Sequence, residues 1–528
     1  RCLVCAAAAP DKTMRKESIR LLAAARQGNA AARLEIGRRY LLGSHGLPRH
    51  VQLGLEYLEH DGSDSGDGAC CVIAECLPLH EIVREGRLPA LRRAAEASSQ
   101  TAMVKLGVWL VLSSADARAA MRWFDRAAAL GSAVGCRLLA ALATQPRCDL
   151  GPILAIMSGE PDFDAEALLE LSLEVAMARG DGSALGALTD VSLQHRAPAG
   201  SSLPGLVCKA VVQGHDLPAF HMTAPAEDIE RVLDEGARLG NADAALLLGR
   251  ALCGVKDDRP IAASLTRRSN MRRGAALLLR AADAGCTEGW MQLYLLHSDH
   301  RASVANPQMA RFFLEKAAVC GDATARRLLG ALILRSATTL VESEQAIHWL
   351  HAAASAGDAM ARSILETLVL PVAGSDEDAA EIIDAMHRRD RWLASKLRVA
   401  RAFGLTKLEG LSADVVAGQR PWGLVVGPNP FVSKAKLAAP RAVPALGSES
   451  LIQLDQAVAT MRQIEPLGRS TEGNLRQRST KLRRLLQRYA GHEELFFAEA
   501  RSSTLDTLRS GPKWAYHARE HLRHALVV

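Results

Sequence analysis

Apolar residues recur along this chain at helical spacing, and they recur in a fixed phrase. The phrase runs Ala, two residues, a large apolar residue, three residues, Ala-Ala, two residues, Gly. It is complete as Ala120, Trp123, Ala127, Ala128, Gly131, again as Ala310, Phe313, Ala317, Ala318, Gly321, and again as Ala346, Trp349, Ala353, Ala354, Gly357. Weaker copies end at Gly285 and Gly240, and one near the start keeps Ala24, Ala25 and Gly28. The large residue and the Ala pair lie four and five apart and so share a helix face, where alanine lets a neighbouring helix come close. Glycine just beyond the pair predicts a left-handed helix stop. An apolar-Gly pair follows in register, as Ile36-Gly37, Leu248-Gly249, Leu329-Gly330 and, with Ser98 in the stop position, Leu106-Gly107. A mid-helix glycine loses about 1 kcal/mol against alanine. Its recurrence predicts a packing role, with Gly37, Gly249 and Gly330 admitting a bulky side chain such as Trp123, Phe313 or Trp349 from the paired helix. Gly285, Gly321 and Gly357 are 36 residues apart, enough for two short helices and two turns.

This grammar resembles the Sel1-like repeat, a relative of the tetratricopeptide repeat. The resemblance is strongest over 120–131 and 271–368, weaker near 27–43 and 228–252, and faint elsewhere. It implies an all-α chain, an α/α solenoid of stacked helix pairs with a concave groove, and a non-enzymatic role as a scaffold or adaptor for protein partners. The usual Gly-x-Gly-Val turn between the helices is mostly missing here. The glycine stops at 131, 180 and 240 are also spaced 49 and 60 apart, so residues 143–226 hold insertions or degenerate units. A secreted branch of the family carries a disulfide in every repeat. Cys286 and Cys320 are 34 residues apart, in successive units, so the chain does not follow that branch.

The repeats give a solenoid over residues 14–370, after a tail of residues 1–13. Residues 371–447 are expected to be an irregular linker or strap, because Arg420–Val432 is rich in Pro and Gly and Pro440 and Pro444 extend it. Leu424–Val426 reads as a short strand inside it. Trp422 and Phe431 stand out there as rings that either dock a partner or anchor the segment. From residue 448 to 528 the pattern predicts a basic, mostly helical module with helices near 451–464, 471–489 and 503–526. In the second of these, Leu475, Leu482, Leu486 and Tyr489 form the apolar face, and Arg476, Arg478, Lys481, Arg483, Arg484 and Arg488 line the rest.

Composition narrows the function further. Aromatic residues are only 4% of the 528 residues, which argues against an all-β class. No apolar run is long enough to span a bilayer. Residues 391–528 hold 22 Lys and Arg against 11 Asp and Glu, a net of +11; the whole chain is +6, so residues 1–390 carry −5. A basic end can attract nucleic acid, an anionic surface or an acidic partner. The 11 cysteines are odd in number and mostly in apolar helical contexts, which fits a reducing, cytoplasmic setting; export stays open because residue 1 is Arg and Cys2–Ala9 is apolar.

No phosphate loop, dinucleotide fingerprint, nucleophile elbow or H-E-x-x-H is present. Cys2-Leu-Val-Cys5 lacks a second pair, the Asp61–Asp67 loop lacks a calcium loop's closing Glu, and His517, His521 and His524 lack a fourth ligand. The sequence therefore assigns no catalytic, cofactor or metal residues. It predicts a protein partner, contacted through Trp422, Phe431, Arg476, Lys481, Arg483, Arg484 and Arg488, with phosphate binding by the basic module as the alternative. The residues expected to pack the repeats are Gly37, Trp123, Ala127, Gly131, Gly249, Phe313, Ala317, Gly321, Gly330, Trp349, Ala353 and Gly357.

Overall fold

A computed structural model of the chain describes residues 16–59, 66–114, 117–143, 150–195, 197–198, 200–255, 265–427, 440–464, 473–509 and 519–526. The chain is an α/α solenoid whose contacts divide it into two compact units, 1–284 and 285–528. The first unit carries α1 (Lys16–Arg26), α2 (Ala30–Leu42), α3 (Val51–Glu59), α4 (Gly66–Cys76), α5 (Leu79–Arg84), α6 (Leu88–Glu96), α7 (Gln100–Ser114) and α8 (Ala117–Ala129). It continues with α9 (Ala133–Ala143), α10 (Gly151–Met157), α11 (Ala165–Arg179), α12 (Gly182–Gln194), α13 (Leu203–His215), α14 (Ala226–Arg238), α15 (Ala242–Cys253) and α16 (Met271–Asp283). Most helices pack on their sequence neighbours, and α11 also reaches back to α5 and α7. The loop read over Asp61–Asp67 ends earlier: Gly66, Asp67 and Gly68 already belong to α4.

The second unit begins with α17 (Thr287–Ser298), α18 (Pro307–Val319), α19 (Ala323–Ser336), α20 (Leu340–Ser355) and α21 (Ala359–Glu366). Helices α22 (Asp376–His387), α23 (Arg391–Ala402), α24 (Lys407–Ser412) and α25 (Val415–Gly418) follow. Next come three short strands, β1 (Gln419–Arg420), β2 (Gly423–Val426) and β3 (Arg441–Pro444), and then α26 (Ser448–Ile464), α27 (Leu475–Arg488), a 3₁₀ turn at Glu493–Leu495, α28 (Ser502–Arg509) and α29 (Arg519–Ala525). The sheet is antiparallel in the order β1-β2-β3, with Leu424 opposite Gln419 and Val443. Pro444 sits on its edge strand, where a missing N–H does least harm.

This arrangement corrects the expected strap at 371–447. Residues 376–418 are helical. They form one core with the sheet, α26 and α27, through Ile383, Leu397, Phe403, Leu424, Val443 and Leu482 among others. Of the prolines and glycines that suggest a strap, Gly423 and Pro444 lie within β2 and β3 and Pro421 and Gly427 flank β2, while Pro428 and Pro430 lie outside the described residues. The single helix expected at 503–526 is represented by two, α28 and α29, with 510–518 outside the described residues.

The repeat phrase works through two devices. At the turns, Gly28, Gly131, Gly240, Gly285, Gly321 and Gly357 all take φ between +92° and +105°, and Ser98 takes +71° in the same slot. At four of these turns the residue after the glycine, an Asn or Asp, caps the next helix with its side chain. Asn29 Oδ1 accepts from Ala32 N at 3.0 Å, Asn241 from Ala244 N at 3.0 Å, Asp322 from Ala325 N at 2.6 Å and Asp358 from Ala361 N at 2.9 Å. A stop in the left-handed region followed by an Asx cap reverses the chain in about two residues.

The second device is close approach at the inner glycines. A Cβ on Gly330 would meet Leu350 Cγ at 2.8 Å and Ala346 O at 3.0 Å, and one on Gly249 would meet Leu278 Cγ at 2.9 Å. Gly37 and Gly54 face each other across α2 and α3, and a Cβ on either would press on Leu58 or Leu41. On α7, Phe124 fills the space over Gly107. The side chains that enter are thus Phe124 and Leu350, each one position beyond the expected Trp123 and Trp349. The reason is helical phase. Ala120, Phe124 and Ala127 cluster on the buried side, whereas Trp123 lies on its flank, with Arg126 over its ring at 4.9 Å. Trp349 is likewise half-buried. Phe313 does enter the core, stacked on Trp290. Ala317 and Ala353 are fully buried, as their place in the phrase requires.

Replacing Gly330 by Ala removes a helix-propensity penalty of about 1 kcal/mol. It also overpacks a site closed by backbone, which costs about 1–3 kcal/mol. Gly330→Ala is expected to lower the urea midpoint, with a net loss of about 1 kcal/mol. A midpoint at or above wild type would show that the helices are free to separate.

Candidate interaction surfaces

The basic face of α27 follows from its amphipathic pattern. Leu482, Leu485 and Leu486 turn into the core of the second unit. Arg478 goes with them, against the expectation that it lines the outer face. Only 9% of it is exposed, its guanidinium donates to Leu411 O at 2.8 Å and Gly473 O at 3.1 Å, and it lies 5.3 Å from the Trp392 ring centre. Lys396 of α23 reaches the other way to the same strip of backbone, donating to Ala413 O at 2.8 Å, and sits 4.5 Å from the same ring. These two cations satisfy carbonyls at the end of α24 and are structural.

Arg476, Arg483, Arg484 and Arg488 stay on the solvent side of α27, and none makes an ion pair among the described residues. Lys481 shares a stripe with Arg484 and Arg488, at positions i, i+3 and i+7. It is exposed and pairs with Asp390, whose carboxylate is almost fully buried and also caps α23 by accepting from Leu393 N at 3.0 Å. That pair brings the α22–α23 turn against α27. The turn adds exposed Arg388, Arg389 and Arg391 beside the stripe. Sequence reading missed these three arginines, although the run His387-Arg-Arg-Asp-Arg-Trp392 is a visible signal. The patch therefore draws from two segments about 90 residues apart in sequence.

Trp422 is only 4% exposed, and its carbonyl accepts from Ala445 N at 2.9 Å. It anchors the sheet and is not available as a docking ring. Phe431 lies outside the described residues. Beside the sheet, Arg441 is fully buried within a pocket of acceptors. It reaches Glu409 through Nε at 3.2 Å and Nη2 at 3.1 Å, and it donates to Gly404 O at 3.2 Å. Glu409 in turn closes a capping box with Thr406. Arg420 ties the same sheet to α20 through Glu344 at 2.9 Å.

Other titratable groups are held by packing. Lys105 borders a cavity of about 210 Å³ with Val104, Met157 and Phe163. Its ammonium donates to Ala74 O and Leu77 O, both at 2.8 Å, closing the end of α4, and burial pushes its pKa down. Burial pushes the Cys208 and Cys253 thiols up to about 11. Cys136 and Cys320 are exposed, and the cysteines among the described residues are unpaired. His351 is half-buried, which lowers its pKa, as does neighbouring His348 to a smaller degree. His517 is outside the described residues, while His521 contacts Ser363 and so does not stand on a free histidine face. No helix among the described residues is long and apolar enough to cross a membrane.

The family model of the Sel1 repeat matches residues 101–132, 264–286, 295–322 and 324–358, so the chain carries four Sel1 repeats. No curated protein matches the chain. Among solved structures, a protective antigen of uropathogenic Escherichia coli displaying an SLR fold is 18% identical, over 85% of this chain and 97% of that one, with a TM-score of 0.25. A Sel1 repeat protein from Oxalobacter formigenes is 19% identical, over 66% of this chain and 88% of that one, with a TM-score of 0.23.

Arg441→Met would leave the Glu409 carboxylate buried without its partner, and a broken buried pair costs about 3–5 kcal/mol. The variant is expected to melt far below wild type, and a melting temperature within a degree or two of wild type would show that Glu409 is rehydrated. In alkylation at pH 8, Cys136 and Cys320 should react first, and Cys208 and Cys253 only on unfolding. Because their folded pKa is raised, the stability these two thiols contribute is full below pH 9 and is lost as pH climbs toward 11. Peptide mapping of the alkylated protein checks the order.

Proposed function

We propose that this chain is a non-enzymatic interaction scaffold, in which Sel1 repeats supply the frame and an acidic protein segment is the partner. The observation that carries this reading is the basic patch of the second unit. Arg388, Arg389, Arg391, Arg484 and Arg488 are exposed and carry no ion pairs among the described residues; the first three flank Asp390 in sequence, and the last two share a helix face with its partner Lys481. A surface cation normally finds a carboxylate on its own chain or lies among mixed charges. Several arginines of one sign held side by side raise the local potential and favour a partner of opposite sign. Arg also suits the task, since its fork bonds carboxylates in pairs.

Phosphates are the alternative ligand for the same charges, and the net of +11 over residues 391–528 supports that reading. What favours a protein is the state of the Trp392 ring beside the patch. Trp392 is half-buried under Lys396 and Arg478, so its face is not presented for a base to stack on.

The test is capture from native lysate by the full chain, with and without nuclease, beside Arg484→Glu/Arg488→Glu. A discrete protein that survives nuclease and is lost by at least tenfold with the variant is the expected result. Material lost to nuclease would transfer the function to nucleic acid. Equal capture by the variant would remove the patch from the function.

A further inference from the structure

Helix α29 lies against α19 and α21, elements far from it in sequence. Among the described residues it runs Arg519–Ala525, about two turns, and a helix in a protein owes most of its stability to packing. Its conformation therefore depends on the seat it occupies. Two of its side chains turn inward, Leu522 at 2% and Ala525 at 0% exposed, at i and i+3 on one face.

The seat is polar as well as apolar, and it is prepared in advance. Arg327 of α19 is 9% exposed. Its Nε donates to Asp358 Oδ2 at 3.0 Å, and Asp358 is itself fixed, because its other oxygen caps α21. Held in this way, Arg327 points Nη1 at the carbonyl of Ala525, the last residue of α29. A cation at a helix C-terminus meets unsatisfied carbonyls and the negative end of the helix dipole. On the other side, the His521 ring meets Ser363 Oγ of α21 at 2.6 Å. The face thus recognises three things: a leucine and a small residue three apart, the carbonyl end of a short helix, and a polar group one position before the leucine.

We infer that the α19–α21 face is a docking site for a short helix of this pattern, and that α29 occupies it as an exchangeable internal ligand. Departure of α29 leaves the Arg327–Asp358 pair intact, so the seat survives empty without an orphaned charge. Among the described residues, what holds α29 is one buried leucine, one alanine and two polar contacts. Those gains are of the same order as the backbone entropy of ordering the seven described residues. Tethering then decides occupancy, because an attached ligand has a high effective concentration and excludes a free one of equal fit. A partner helix wins when it adds contacts that α29 lacks. This inference rests on the scaffold reading but uses a different face from the basic patch, so Arg484 and Arg488 do not enter its test.

The experiment measures binding of a fluorescent peptide spanning residues 519–528 to three full-length chains by anisotropy. Wild type is expected to bind weakly, Leu522→Asp at least tenfold more tightly because its own helix no longer competes, and Leu522→Asp/Arg327→Ala no better than wild type. Binding by Leu522→Asp no tighter than wild type overturns the proposal, as does a gain that persists without Arg327. Hydrogen exchange on wild type gives a second readout should the variants misfold. Amides of residues 522–526 are expected to exchange at least a hundredfold faster than those of α19 and α21, and equal protection would make α29 a fixed part of the fold.

Discussion

The close approach of helices at small residues is the constraint on which this architecture rests. Gly37 against Leu58, Gly107 against Phe124, Gly249 against Leu278 and Gly330 against Leu350 each let one large side chain lie directly on a neighbouring backbone. With only 4% aromatic residues, the chain has few large groups to fill wide gaps between helices. It narrows the gaps instead, using alanine and glycine where another core would use rings. Packing density is kept at the level of a protein interior by shortening distances rather than by enlarging side chains. The alanines of the repeat phrase, such as Ala127, Ala317 and Ala353, are fully buried for the same reason.

Much of this was legible in the sequence because it is local and periodic. The glycine stops, the helix faces and the inner glycines all lie within one repeat, so spacing alone revealed them. Phase was harder. Trp123 and Phe124 are adjacent, and only the direction of the neighbouring helix decides which of them enters the core. Residues 371–418 were misread for a different reason. Their helices are short, and within the Pro- and Gly-rich stretch residues 423–426 pair with 441–444 across the interval between β2 and β3. Pairing over that distance leaves no periodic trace. Arg478 was read as an outer residue because charge usually marks a wet face; its burial depends on Leu411, 67 residues away.

Two sets of cations in the second unit differ in what surrounds them. Arg327, Lys396, Arg441 and Arg478 are buried and directed at carbonyls or carboxylates, so each fixes a junction between elements. Arg388, Arg389, Arg391, Arg484 and Arg488 are exposed, with no ion pair among the described residues. Composition could not separate the groups, because both contribute equally to net charge. The difference lies in desolvation. An arginine facing a helix end or a buried glutamate loses its water for good, whereas one facing solvent keeps it until a partner arrives.

The turns between repeats carry one more consequence. At four of these turns a left-handed glycine followed by an Asn or Asp cap encodes the reversal within about two residues, and the helices it joins are neighbours in the chain. Such a molecule has low contact order over its repeats, so most of its loop closures are short and fast. A growing polypeptide leaving the ribosome can complete each pair of helices as soon as both have emerged, without waiting for distant sequence. The same locality makes the repeat a transferable unit. A duplicated or deleted stretch of 36 residues brings its own turn and its own packing face, so array length can change by recombination without redesign of the rest.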